Sequence, residues 1–171
     1  MNQAHIHLLL THLPIVGSLL GVLALMAGYA FRSEPVKRTA LGLFLFAALA
    51  AIPTFLSGEG AEEVAENVPG VQEGLIGDHE QMASIFIWLI SGLGLLSLAT
   101  LTVSLKDNPL SKSLYAITFV VSLVAVGVAT QVGATGGKIR HTEISETTAK
   151  ADTGHGGNMY GSEREEEKDR D

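Results

Sequence analysis

Four long apolar runs separated by short polar breaks organise the chain. They cover about residues 8–31, 39–56, 82–105 and 113–135. Each holds roughly 18–24 residues, enough for a helix rising about 1.5 Å per residue to cross about 30 Å of hydrocarbon. The first run contains no charged residue, and no Lys or Arg lies between Arg38 and Lys106. A soluble bundle would carry a polar stripe at helical period in every helix. These runs do not. The pattern predicts an all-α protein, a four-transmembrane-helix antiparallel bundle over residues 1–144. The first run lacks a preceding basic segment, and its charges follow it, so it reads as a retained helix and not a signal peptide.

The polar breaks predict the connections. Pro35 marks the first short turn and Asn108–Pro109 the third, so each joins antiparallel neighbours. The second connection is longer. Gly58–Glu59–Gly60 is expected to break the helix before it. Residues 61–67 can form about two turns with Glu62 and Glu66 four apart. Val68–Pro69–Gly70 breaks again. Val71, Leu75 and Ile76 then form the apolar side of a short amphipathic stretch, with Glu73 and Asp78 facing water. Asp78, with Gln81 three residues on, is expected to cap the third membrane helix.

Charge assigns the sides. Arg32, Lys37 and Arg38 occupy the first connection, and Lys106 and Lys112 the third; residues 1–7 and 57–81 contain no Lys or Arg. Basic loops stay cytoplasmic. Both termini and the 57–81 connection are therefore expected on the outer face. From about residue 145 the chain turns to Thr, Ala, Gly and charge, ending in Gly-Ser-Glu-Arg-Glu-Glu-Glu-Lys-Asp-Arg-Asp. Residues 145–171 read as a disordered acidic tail, too poor in apolar area to offset the entropy of ordering. His155 and Met159 fall in that tail and read as part of it, not as a metal site.

Composition narrows the chemistry. The formal charge of −7 over 171 residues comes mostly from the tail and the 57–81 connection, and no basic face points to nucleic acid. Absence of cysteine excludes disulfides, thiolate metal sites and covalently attached c-type haem. Histidine, methionine and carboxylates remain as candidate ligands. No nucleophile motif or nucleotide loop points to an enzyme.

The histidines are distributed asymmetrically. His5, His7, His12, His79 and His141 all fall at the outer end of the expected bundle and none at the cytoplasmic end. His12 lies inside an apolar run, where an ionisable group is costly and usually finds a partner. Pro14 removes a backbone donor and leaves the Leu10 carbonyl without its usual partner. A histidine bonded to that carbonyl is the bland reading of His12. His7 and His12 are separated by about 140° around a regular helix, so they do not point at one atom. His79 and His141 can each be read alone as interfacial residues. Gly17, Gly21, Gly92, Gly94, Gly127 and Gly133 allow close helix packing, or leave room for a flat macrocycle, and packing is the better reading. Glu62, Glu63 and Glu66 read as a solvated acidic face. Thr54, Ser91, Thr100 and Gln131 are few and scattered, which counts against a transport path.

Several motifs together resemble a bacterial four-helix membrane family known as domain of unknown function 2231. They are His7-Leu-Leu-Leu-Thr-His12-Leu-Pro14-Ile15, Ser57-Gly-Glu-Gly-Ala-Glu-Glu-Val-Ala-Glu66 with Val68-Pro-Gly-Val, Asp78-His-Glu80, and Gly136-Gly-Lys-Ile-Arg-His141. The family usually has proline after its first histidine and an aromatic after its second. Leu8 and Leu13 stand there here, so the resemblance is to a sub-branch and covers about residues 5–144. It implies a bacterial cytoplasmic (inner) membrane setting with periplasmic termini, and His7, His12, His79 and His141 as the family histidines. It also implies an association with cytochrome c modules or a respiratory-type membrane complex.

Three functions follow as expectations. The first is b-type haem for electron transfer, with His12 and His79 as the first-choice axial pair and His7 and His141 as a second pair or support. The second is a non-haem zinc or copper site. The third is an accessory or structural subunit of a larger membrane complex.

Overall fold

The computed structural model describes residues 2–140. Its five helices are α1 (Gln3–Ala30), α2 (Glu34–Leu56), α3 (Gly58–Glu66), α4 (Glu73–Leu105) and α5 (Ser111–Arg140). All but α3 are long and apolar enough to cross a membrane. Four antiparallel helices form the bundle. α1 packs along α2, α2 along α4 and α4 along α5, and a thinner α1–α5 contact closes the ring. The protein is thus an all-α, multi-pass membrane protein. Its charge-free spans still carry large apolar side chains outward, among them Leu95 and Trp88, the latter 82% exposed, as a lipid-facing surface requires.

The helices run further than hydropathy alone predicts. α4 starts at Glu73, with Gln72 as its N-cap, so Asp78 lies inside the helix and does not cap it. The expected amphipathic stretch is the first turns of α4. Gly58 and Gly60 likewise belong to α3, and the break from α2 falls at Ser57. Hydrocarbon thickness limits only the apolar part of a helix, and polar flanks can continue the same hydrogen-bonding ladder beyond it. The break at Val68–Pro69–Gly70 is present, with Gly70 at φ 89°. At the opposite end, Pro35 sits in the first turn of α2 as a helix starter. The chain reverses there through Arg32 at φ 51° and, after α4, through Asp107 at φ 49°.

Two kinds of seam hold the bundle. Between α1 and α2, and between α2 and α4, the backbones approach closely. A Cβ at Gly21 would overlap the Phe44 ring, and one at Gly94 would overlap Ala48. These glycines serve packing. Gly92, Gly127 and Gly133 have open space beside them and hold no helix seam. Between α4 and α5 the seam is polar. Ser97, Thr100 and Ser104 of α4 and Tyr115, Thr118 and Ser122 of α5 are all buried. Thr100 and Thr118 hydroxyls meet at 3.1 Å, and Ser104 and Tyr115 hydroxyls at 3.0 Å. Intramembrane hydroxyls are therefore neither few nor scattered.

Candidate functional site at the histidine end

The topology carries the start of α1, the end of α2, α3, the start of α4 and the end of α5 to one end of the bundle. His5, His7, His12 and His79 lie there, as expected. His141 lies outside the described residues, as do His155, Met159 and the acidic tail.

Position on α1 separates the N-terminal histidines. His5 is exposed, and its backbone N–H is capped by the Asn2 side chain at 3.0 Å. His7 turns inward and is partly buried against the end of α2. Its Nδ1 lies 3.1 Å from the Thr54 carbonyl and 2.9 Å from Ser57 Oγ. His12 turns outward and is exposed; its Nδ1 donates to the Leu8 carbonyl at 2.9 Å. It borders an apolar groove of about 240 Å³ between α1 and α2, formed with Leu13, Val16, Leu20 and Phe46 among others. Divergence of His7 and His12 is what their angular separation requires.

The Leu10 carbonyl released by Pro14 finds a different partner. Thr54 Oγ1 donates to it at 3.2 Å, sharing its proton with the Ala50 carbonyl at 2.8 Å. Thr54 thereby ties α2 to α1 at the level where α1 loses its own ladder bond.

His79 is partly buried against α5, with Nδ1 3.1 Å from Thr135 Oγ1. Gly136 makes room for the ring. A Cβ there would stand 3.1 Å from His79 Cε1 and 3.3 Å from Nδ1. His7 and His79 are both partly buried at this end, His7 against α2 and His79 against α5, and His12 stays on the outer surface of α1.

Carbonyl partners fix two of the tautomers. Ser57 Oγ gives its proton to the Thr54 carbonyl at 2.8 Å, so both groups facing His7 Nδ1 are acceptors. His7 and His12 therefore carry their neutral-state proton on Nδ1 and keep a lone pair on Nε2. Thr135 Oγ1, which also lies 3.0 and 3.1 Å from the Gln131 and Val132 carbonyls, holds His79 at Nδ1. That arrangement, with Nδ1–H held by a carbonyl or hydroxyl, characterises metal-ligating histidine.

Carboxylates surround this end without joining it. Burial, and then the negative charges of Glu80, Glu66 and Glu59, hold Glu62 above the usual carboxylate range. Among the described residues, no group of three or more His, Cys, Asp or Glu side chains is arranged to hold a metal ion.

Sequence reasoning missed Thr54, Ser57, Thr135 and Gly136 as supports of the histidines. Each lies near a helix end, but only the helix rotations show which histidine it serves.

Fold and site define the class: a multi-pass integral membrane protein with hydrogen-bonded histidines at one end of a helix bundle. Compared with known proteins, the chain matches no family model, no curated protein and no solved structure.

Proposed function

We propose that this protein binds b-type haem at its histidine end, where His7 and His79 would hold it, and carries electrons at the outer face of a bacterial inner membrane. The observation carrying this reading is a pair of partly buried rings, on α1 and α4, each held by hydrogen bonds at Nδ1, with no hydrogen-bond partner on Nε2 among the described residues. Haem would supply a one-electron redox centre. Thr54 and Ser57 would orient His7, Thr135 would orient His79, and Gly136 would give the His79 ring its place. His12 takes a lesser part, because it faces away from this pair.

The donor set favours haem over zinc or copper. A macrocycle brings its own equatorial nitrogens and asks the protein for one or two ligands, whereas a structural zinc site usually takes four protein donors and a catalytic one three. The resemblance to the four-helix family is consistent with this reading, and we take membership of that family as part of the proposal. The loops carrying Arg32, Lys37, Arg38, Lys106 and Lys112 face the cytoplasm, with both termini outside.

Visible spectra of the full chain, expressed with haem available and purified in detergent, test the reading. The expected result is a Soret band and a reduced α-band that collapse in His7→Ala and His79→Ala and persist in His12→Ala. A colourless, folded protein overturns it. Stoichiometric zinc or copper in that colourless sample transfers the reading to a non-haem centre. Neither metal nor haem leaves an accessory subunit of a larger complex. An N-terminal tag reachable only from the cytoplasm reverses the orientation.

A further inference from the structure

The α4–α5 seam repeats at spacings of four and three. On α4 the buried hydroxyls are Ser104, Thr100 and Ser97; on α5, in the opposite direction, they are Tyr115, Thr118 and Ser122. The first two pairs face each other at 3.0 and 3.1 Å. The same register sets Ser97 opposite Ser122, yet no hydrogen bond joins them. Ser122 Oγ donates instead to the Phe119 carbonyl at 2.7 Å, which leaves its lone pairs unused. Among the described residues, Ser97 Oγ is the buried side-chain polar atom with no hydrogen-bond partner. Both serines are 0% exposed.

An orphan hydroxyl in hydrocarbon is costly, and buried polar groups of this kind are commonly satisfied by an ordered water. Ser18 of α1, also 0% exposed, adds another hydroxyl near this level. Gly21 of α1 meets Phe44 of α2, and Gly94 of α4 meets Ala48, which sets Ser18 and Ser97 at about the same depth in the bundle. Its own proton goes to the Ile15 carbonyl at 2.9 Å, so it too offers an acceptor. The layer thus combines one unpaired hydroxyl with two hydroxyls whose lone pairs are free.

We propose that Ser97 and Ser122 hold a single water molecule deep in the bundle, as the third rung of a hydroxyl ladder between α4 and α5. Ser97 donates to the water, and the water donates to Ser122. The site is distinct from the histidine end and does not depend on any cofactor there.

Thermal unfolding of the full chain in detergent provides the test, with Ser97→Ala, Ser122→Ala and the double variant. A bridging water makes each single change lower the melting temperature by roughly 2–4 °C. It also makes the double change little worse than either single one, because both remove the same molecule. A higher melting temperature for Ser97→Ala means that the hydroxyl was an unrelieved orphan and overturns the proposal. Fully additive single effects overturn it as well. A crystal structure resolving ordered solvent should show density within hydrogen-bond distance of both Oγ atoms; a dry layer refutes the site.

Discussion

The two ends of the bundle use polar groups in opposite ways. At the basic end the two partly buried cations, Lys37 and Arg38, are engaged by the protein itself. Arg38 Nε donates to Ser104 Oγ at 3.0 Å and Nη2 to the Ser104 carbonyl at 2.7 Å. Ser104 continues to the buried Tyr115 hydroxyl. Lys37 pairs with Glu34 and stands 4.9 Å from the Tyr115 ring centroid and 5.5 Å from that of Tyr29. This knot joins α1, α2, α4 and α5. At the histidine end each anchored ring has Nδ1 engaged and, among the described residues, no partner on Nε2, and α3, which contacts the same end, buries none of its residues. A saturated network stabilises. On the proposed function, a half-saturated one held in orientation is open to a ligand. The contrast assigns stability to the basic end and the proposed cofactor to the other.

Removing the arginine fork should break the comparison most severely. Arg38→Ala leaves Ser104 with unused capacity in a partly buried site and detaches α2 from α4. Loss of two charge-assisted hydrogen bonds predicts about 2–3 kcal/mol of destabilisation, read by thermal or denaturant unfolding in detergent. Arg38→Lys should recover only part of it, since an ammonium cannot reproduce the fork. An Arg38→Ala variant as stable as the parent would show that the knot contributes nothing.

Thr54→Val is the next test, at the other end. The variant keeps the shape but loses the donor to the Leu10 carbonyl that Pro14 has orphaned. The expected loss is about 1–2 kcal/mol. His7 should keep its orientation, because its partners are the Thr54 carbonyl and Ser57. Any visible absorption should therefore survive in Thr54→Val. Loss of the spectrum without loss of stability would contradict this division of roles.

His79→Ala sharpens the contrast from the other direction. Its neutral hydrogen bond to Thr135 goes with it. The stability loss should be about 1 kcal/mol or less, while the proposed cofactor signal disappears. Gly136→Ala should weaken the same signal, because its Cβ presses on the His79 ring. If His79→Ala unfolds the protein more than Arg38→Ala does, the assignment of stability to the basic end fails.

Much of this contrast was visible in the sequence, but not its resolution into pairs. Hydropathy gives the four spans because lipid forces apolar composition over a fixed thickness. Counting spans puts the histidines at one end. It does not give rotation about each helix axis, which packing sets through contacts such as Gly21 with Phe44 and Gly94 with Ala48. Hence His12 and His79 made a natural pair on paper, while the fold turns His7, not His12, inward from α1. Helix ends such as Glu73 were missed because polar residues outside the lipid no longer obey the hydropathy rule. The hydroxyl seam was legible after all, in the 3–4 spacing of Ser97, Thr100 and Ser104 against Tyr115, Thr118 and Ser122. Small hydroxyl residues scarcely alter a hydropathy profile, so counting polar residues one by one hides the pattern.

The smallest expected effect concerns the carboxylates beside the histidines. Burial and the neighbouring Glu80, Glu66 and Glu59 raise the affinity of Glu62 for its proton in the folded state. With the folded value above the unfolded one, the folded protein binds more protons between the two. Stability should therefore fall as pH rises from about the unfolded carboxylate value of 4.3 through the raised one, and recover on acidification. Because Glu62 lies near the surface, the effect should be local: faster amide exchange in α3 at neutral pH than below the unfolded carboxylate value of about 4.3, once intrinsic exchange rates are divided out. Glu62→Gln should flatten that dependence while leaving the Arg38 knot untouched. An α3 whose protection is the same in Glu62→Gln and the parent across this range would mean that the acidic face is fully solvated. Repulsion among these carboxylates would then play no part in the stability of α3.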